Sequence, residues 1–102
     1  MPVVMATLKP LPEHRAEVMA ALRTLVAAAH TEEGVERFAL LDGGADVFVI
    51  IEKWVDRNAW EAHTRSAASQ QANKAVAGKL REAPAHLFLT PIPAGDDRLG
   101  RL

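Results

Sequence analysis

The chain is 102 residues long, with 49% hydrophobic and 25% charged residues, the ordinary composition of one soluble globular domain. Its formal net charge of -1 comes from 12 basic and 13 acidic residues without a run of like charges, which excludes an electrostatic footprint for nucleic acid or an anionic membrane surface. The absence of cysteine excludes disulfides, thiolate nucleophiles and thiolate metal sites, and it favours an intracellular protein.

The N-terminus lacks the pattern of a signal peptide. Met1 and Pro2 precede a short apolar run, without a basic region or a long apolar stretch. The longest aliphatic run, Val47 to Ile51, is far shorter than the ~20 apolar residues of a membrane span. We therefore predict a cytoplasmic protein that contacts neither membranes nor nucleic acid.

The first part of the chain predicts a strand, a helix and a strand. Val3 to Leu8 is a continuous apolar run ended by prolines, which suits a strand buried on both faces. From Pro12 to His30 the apolar residues recur at helical spacing. They are Val18, Leu22, Leu25, Val26 and Ala29. After Gly34, the alternation from Val35 to Leu41 predicts a second strand.

A glycine pair within Asp42 to Asp46 separates this strand from the next. We interpret it as a hairpin turn and not a phosphate loop, because no helix follows and no Lys, Ser or Thr completes a nucleotide motif. The following segment, Val47 to Trp54, is the strongest strand pattern in the chain. One predicted face carries Phe48, Ile50, Glu52 and Trp54.

The remaining elements are a helical region and a last strand. Asp56 is a natural N-cap, and Val55 and Trp60 occupy the positions of a hydrophobic staple. A second helical piece is predicted from Ser66 to about Arg81, and a final strand from Ala85 to Ile92.

The order strand, helix, strand, strand, helix, strand predicts an α+β, ferredoxin-like βαββαβ fold with an antiparallel sheet. We assign residues 1–93 to this domain. The tail at 94–102 is predicted to be mobile or docked on a partner subunit.

The segment from Glu52 to Ser66 concentrates the candidate chemistry, because it holds both tryptophans and one histidine. His63 is either a candidate base or a helix-surface histidine with a structural hydrogen bond. Trp60 is either a core residue or a pocket wall. Glu52, on an apolar strand face, is either a structural ion-pair partner or a base whose pKa is raised by desolvation.

The other histidines and catalytic patterns are less informative. His14 and His30 lie at predicted helix ends and suit structural roles, whereas His86 either faces a cavity or lies at the sheet edge. No HExxH motif, nucleophile elbow around Ser66 or Ser69, or glycine-rich dinucleotide fingerprint is present. If the protein is an enzyme, we expect one that works without a metal.

The element order and one set of residues resemble the antibiotic biosynthesis monooxygenase family, whose members form dimeric α+β barrels. These residues are Glu52, Trp54, Ala59, His63 and Ser66, together with Gly34 and Phe38. The resemblance implies a homodimer whose sheets pack together, with a pocket between sheet and helices in each subunit. It also implies oxidation of a quinol-like or polycyclic phenolic substrate by molecular oxygen, without a metal, flavin or haem cofactor.

By the same resemblance, His63 is the candidate general base and Glu52 a second catalytic candidate. Trp54, Trp60 and Phe48 become candidate pocket walls, and His86 a second polar contact. The competing interpretation is a dimeric module that binds or isomerises a small hydrophobic metabolite without oxidising it, since a fold does not determine a function.

Overall fold

A computed structural model of the protein describes residues 2–44 and 46–102. These residues form four strands and three α-helices in the order β-α-β-β-α-α-β. The strands are β1 (Val3–Leu8), β2 (Val35–Asp42), β3 (Phe48–Trp54) and β4 (Ala85–Leu89), and the helices are α1 (Arg15–Ala29), α2 (Arg57–Thr64) and α3 (Ala67–Val76). The predicted ferredoxin-like α+β fold is confirmed.

The strands form one antiparallel sheet in the order β2-β3-β1-β4. The predicted hairpin joins β2 to β3 and is closed by a hydrogen bond from the Gly43 amide to the Val47 carbonyl, although Ala45 in its turn lies outside the described residues. Across the sheet, Ala6 pairs with Ile50 on one side and with His86 on the other. This register aligns Ile50 of β3, Ala6 of β1 and His86 of β4 across the sheet, with β1 between β3 and β4.

One face of the sheet packs against the helices and forms the core. Along β3 the burial alternates strictly, and the four residues predicted to share a face are all buried: Phe48, Ile50, Glu52 and Trp54. The helix α1 contributes the buried residues Val18, Leu22 and Ala29 to the same core. The buried side chains of β3, which alternate along the strand, therefore pack in one core with those of α1, which recur at helical spacing.

Within residues 2–44 and 46–102, no helix lies over the opposite face of the sheet, which we call the open face. It presents half-buried or exposed side chains, which include Met5, Thr7, Val49, Ile51 and Leu87. The expectation that β1 is buried on both faces is therefore wrong within one chain. Beyond β4 the residues are all exposed, and the tail returns so that Lys53 of β3 donates to the terminal Leu102 oxygen.

Three predicted boundaries differ from the structure by more than one residue. Pro12–His14 forms a 3₁₀ turn before α1, because the His14 amide bonds the Leu11 carbonyl three residues back. The helix predicted to reach Arg81 ends at Val76, and Gly78 then adopts a φ of +75°, which ends the helical course. Strand β4 stops at Leu89 because its partner there is Val3, the first residue of β1. None of the helices described is long and apolar enough to cross a membrane.

Candidate active site

A cavity of about 170 Å³ lies between the helix-covered face of the sheet and the three helices. Its apolar walls come from buried core residues of four elements, including Ala6, Leu8, Leu22, Ile50, Ala72 and Val76. Its polar lining comes from β3, the helices and the start of β4: Glu52, His63, Thr64, Ser69, Asn73 and His86. The chain thus builds a largely apolar pocket with a few polar groups, which is the usual construction of a small-molecule site.

His63 is placed in this cavity by the local sequence around α2. Asp56 caps the helix by accepting a hydrogen bond from the Ala59 amide at 2.8 Å, which confirms the predicted N-cap. Two turns further on, the His63 side chain is only 7% exposed. A helix-surface histidine is therefore excluded.

The imidazole of His63 lies among aromatic rings. Its centroid is 4.8 Å from that of Trp54 and 5.2 Å from that of Phe38. These rings fix the plane of the imidazole and exclude water from one side of it. The orientation of His63 is therefore determined by packing as well as by hydrogen bonds.

Glu32 holds the Nδ1 atom of His63, with a distance of 2.5 Å between Nδ1 and Oε1. Because an ionised carboxylate can only accept hydrogen bonds, this contact favours the imidazole tautomer with the hydrogen on Nδ1 and the lone pair on Nε2. The Nε2 atom lies 4.0 Å from the Glu52 Oε1 atom and 3.5 Å from the Ser69 Oγ atom. The two carboxylates therefore approach opposite nitrogens of one ring.

Glu52 is nearly inaccessible, at 4% exposure, and accepts a 2.9 Å hydrogen bond from the Trp54 indole. Burial raises the pKa of its carboxyl above the ordinary value of 4.5, against the opposing effects of the Trp54 hydrogen bond and of the His63 and His86 imidazoles. The Glu52 carboxyl therefore keeps its proton to a higher pH than an ordinary glutamate, and in the protonated form it can act as a proton donor.

Ser69 links α3 to the same cluster. Its hydroxyl donates to the His63 carbonyl at 2.6 Å, and its amide donates to the Ser66 hydroxyl, which caps α3. Because that hydroxyl proton is directed at a backbone carbonyl, Ser69 supports the position of His63. The predicted cap at Ser66 is confirmed.

The predicted pocket residues do not all line the cavity. Trp60 and His86 do, and the outer side of Trp60 packs edge-on against Phe88 at 4.8 Å between centroids. Trp54 lies fully buried behind Glu52 and His63. Phe48 lies at the far end of β3, roughly 20 Å along a seven-residue strand from Trp54, and its ring contacts Arg15.

The remaining histidines lie outside the cluster. His14 contacts the Glu17 carboxylate at 2.9 Å, and His30 contacts the Phe38 carbonyl at 2.9 Å. Both contacts suit the structural roles expected for histidines at the ends of a helix.

Sequence reasoning missed Glu32, which lay in the predicted linker before β2. The predicted topology could have indicated this contact, because the hairpin pairs Val35 with Trp54 and so brings the linker that carries Glu32 beside the start of α2. Gly34 permits the approach, since its φ is +85° and a Cβ there would lie 2.6 Å from the Ala59 Cβ. Within the described ranges, no group of three or more His, Asp, Glu or Cys side chains is placed to hold a metal ion.

The sequence model of the antibiotic biosynthesis monooxygenase family matches residues 1–75. The chain belongs to this family. It is 35% identical over 70 residues to the Bacillus subtilis (strain 168) protein named "Putative monooxygenase YcnE", a match that covers 67% of this chain and 74% of that protein. The family assignment agrees with the resemblance seen in the segment from Glu52 to Ser66.

Solved structures share the fold of this antibiotic biosynthesis monooxygenase family member. Rv0793 from Mycobacterium tuberculosis has a TM-score of 0.84 and 23% identity, covering 94% of this chain and 100% of its own. PA3566 from Pseudomonas aeruginosa has a TM-score of 0.82 and 23% identity, covering 90% of this chain and 94% of its own. These similarities establish the architecture.

Proposed function

We propose that the protein is a cofactor-independent monooxygenase that oxidises a quinol-like or polycyclic phenolic substrate with molecular oxygen. The observation that carries this proposal is the His63 imidazole, buried in an apolar cavity with Glu32 on Nδ1 and its Nε2 free to act as a base. Membership of a monooxygenase family supports the same reaction class.

In the proposed reaction, His63 Nε2 removes the proton of a substrate hydroxyl. Glu32 stabilises the imidazolium that results, since its carboxylate already accepts the Nδ1 hydrogen. A positioned general base of this kind contributes about 10²- to 10⁴-fold to the rate. Trp60 and His86 line the cavity and would contact the substrate ring. Trp54 keeps Glu52 in position by donating its indole hydrogen bond to the Glu52 carboxyl.

The substrate itself supplies the electrons. The phenolate gives one electron to oxygen, and the resulting substrate radical and superoxide combine to form a carbon–oxygen bond. Protonation of the distal oxygen by the His63 imidazolium or by Glu52 breaks the oxygen–oxygen bond, and the hydrogen on the attacked carbon leaves as a proton. For a hydroquinone, hydroquinone and oxygen then give hydroxyquinone and water, which balances without a further reductant.

The proposed working form is a homodimer in which the open faces of two sheets pack together. Leu41 and Leu87 on this face are each about half exposed, and such apolar surface is more often covered in an assembly than left in water. The tail at 94–102 ends beside Lys53 on the same face, so we place it at the subunit interface. The cysteine-free sequence supports a cytoplasmic location.

Oxygen uptake with a panel of hydroquinones tests the proposed function. We expect uptake by the wild-type protein, loss of about 10²-fold or more in His63→Ala, and no change in the control His14→Ala, whose histidine lies outside the cavity. Equal uptake by His63→Ala would disprove the assignment of the base. Tight binding without turnover would favour the alternative, a dimeric module that binds or isomerises a hydrophobic metabolite.

A further inference from the structure

The size of the cavity limits the substrate. At about 170 Å³ it is close to the roughly 150 Å³ cavity that accommodates benzene, and it is well below the roughly 300 Å³ lower bound for drug-sized ligands. One aromatic ring with small substituents therefore fills it. A second fused ring needs space that the cavity does not enclose.

The walls around this space are not easily displaced. Leu22 and Ile50 are each 2% exposed and belong to the main core cluster, as do Ala6 and Val76. Close-packed core side chains move only at a cost in packing. Expansion by a whole ring would therefore disrupt the same core that holds the sheet to the helices.

The cavity has a polar floor and an exposed mouth. Glu52, His63 and Ser69 are buried, whereas Asn73 and His86 are exposed. The reacting hydroxyl therefore enters first, towards Nε2 of His63. A fused ring that protruded at the mouth would remain in water and lose the contacts that favour burial.

The charges around the cavity also limit the substrate. Neither lysine nor arginine is among the described residues that line it, whereas the acidic residue Glu52 does line it. An anionic substituent that entered the cavity would leave water without a permanent cation to pair with. Burial of an uncompensated carboxylate is strongly unfavourable.

We propose that this cavity selects uncharged substrates with a single aromatic ring and discriminates against carboxylated and fused-ring analogues. This proposal depends on the proposed function in one respect, because it assumes that the substrate binds in this same cavity. It narrows the substrate class from quinol-like or polycyclic phenols to neutral monocyclic ones. Its test measures binding and requires no turnover.

Calorimetric titration of the full chain with three matched phenols tests the proposal. The probes are 4-methylphenol, 4-hydroxybenzoate, in which a carboxylate replaces the methyl group, and 2-naphthol, which adds a fused ring. At about pH 8, where histidine is ordinarily uncharged, we expect 4-methylphenol to bind about tenfold or more tightly than either analogue. Equal or tighter binding of 4-hydroxybenzoate overturns the charge selection, and equal or tighter binding of 2-naphthol overturns the size selection.

Two variants at the cavity lining sharpen the test. Asn73→Arg adds a cation at the mouth and is expected to improve 4-hydroxybenzoate binding about tenfold relative to 4-methylphenol, whereas the control Asn73→Gln leaves the ratio unchanged. Leu25→Ala enlarges a half-buried wall and is expected to improve 2-naphthol binding selectively. Circular dichroism establishes that each variant is folded.

The outcomes separate this proposal from the proposed function. If 4-methylphenol binds with the expected selectivity but no hydroquinone consumes oxygen, the size and charge selection stands and the oxygenase function is wrong. If hydroquinones are oxidised but naphthalene diols or carboxylated quinols react equally well, the selection is wrong and the oxygenase function stands. Failure of all three phenols to bind at millimolar concentration also contradicts the selection.

Discussion

The two faces of the sheet use the same strands for different purposes. Along β3, Glu52 and Trp54 face the helices and are nearly inaccessible, whereas Ile51 and Lys53 face the open side and remain half-buried. Among the described residues, no buried side-chain nitrogen or oxygen lacks a hydrogen-bond partner, as the Trp54 hydrogen bond to Glu52 illustrates on the covered face. On the open face the side chains are mainly apolar, and no layer formed by the described residues covers them.

This difference indicates that the covered face suits a catalytic site and the open face suits association between subunits. A buried carboxyl group is tolerated on the covered face because an indole donor and an imidazole lie beside it, and the same burial raises its pKa. The open face carries no such network. Substitutions on the covered face should therefore affect the stability and the site, and those on the open face should affect association.

The largest effect should come from Trp54→Ala. Removal of a fully buried indole should cost about 3–5 kcal/mol of unfolding free energy, because it leaves a cavity and deprives Glu52 of its donor. Urea unfolding measures it, with Leu41→Ala on the open face as the comparison. At protein concentrations low enough to prevent association, we expect Leu41→Ala to cost less than about 1 kcal/mol. Similar costs at the two positions would remove the distinction between the faces.

Glu32→Ala should lower the rate of substrate oxidation by about ten- to a hundredfold, because the Nδ1 hydrogen of His63 loses its acceptor. The matched control is Glu33→Ala, which removes the adjacent, exposed carboxylate. Nitrogen NMR of the His63 ring gives a second readout that needs no substrate. It should show hydrogen on Nδ1 in the wild type and a tautomer mixture in Glu32→Ala. An unchanged tautomer would contradict the role of Glu32.

Leu87→Lys should weaken self-association by about tenfold or more, because it places a charge on the open face. Analytical ultracentrifugation over a range of concentrations measures the dissociation constant. Ala27→Lys, at an exposed position of α1, supplies the same charge away from the sheet and should have no effect. If both variants associate like the wild type, the interface lies elsewhere.

The smallest effect should be the pH dependence of Glu52→Gln. Since the folded-state pKa of Glu52 is raised, the folded protein binds more protons than the unfolded chain above pH 4.5, and the wild type loses stability as the pH rises from there to the raised pKa. Glutamine does not titrate and can still accept the Trp54 hydrogen bond. The variant should therefore gain stability relative to wild type across that window. Unfolding curves between about pH 4 and pH 8 test this prediction. If Glu52→Gln lost stability relative to the wild type as the pH rose, the prediction would be wrong.

Much of the fold could be predicted because local patterns and topology agree. The alternation from Phe48 to Trp54 predicted which residues of β3 share a face, and Asp56 and Ser66 marked two helix starts through their capping side chains. Ends without such a signal were less predictable. The helix predicted to continue to Arg81 ends at Val76, because residues beyond Gly78 instead bond to the chain near Pro10.

The candidate site was predictable in part. The sequence placed Glu52, Trp54 and His63 together because they are close along the chain. It could not place Glu32, whose contact with His63 spans 31 residues and depends on the path of the linker at Gly34. Phe48 shares a strand face with Trp54 but lies at the other end of it, so a shared face did not imply a shared cavity.

The most direct test of the central claim, that His63 deprotonates a phenol bound in the cavity, is the ionisation of a bound chromogenic phenol. Under anaerobic conditions, 4-nitrophenol reports its phenolate form by absorption in the visible region. Binding to the wild-type protein is predicted to increase the phenolate fraction relative to free 4-nitrophenol at the same pH, and His63→Ala is predicted to abolish the increase. A bound phenol that stays protonated in the wild type, or ionises equally in His63→Ala, would contradict the account.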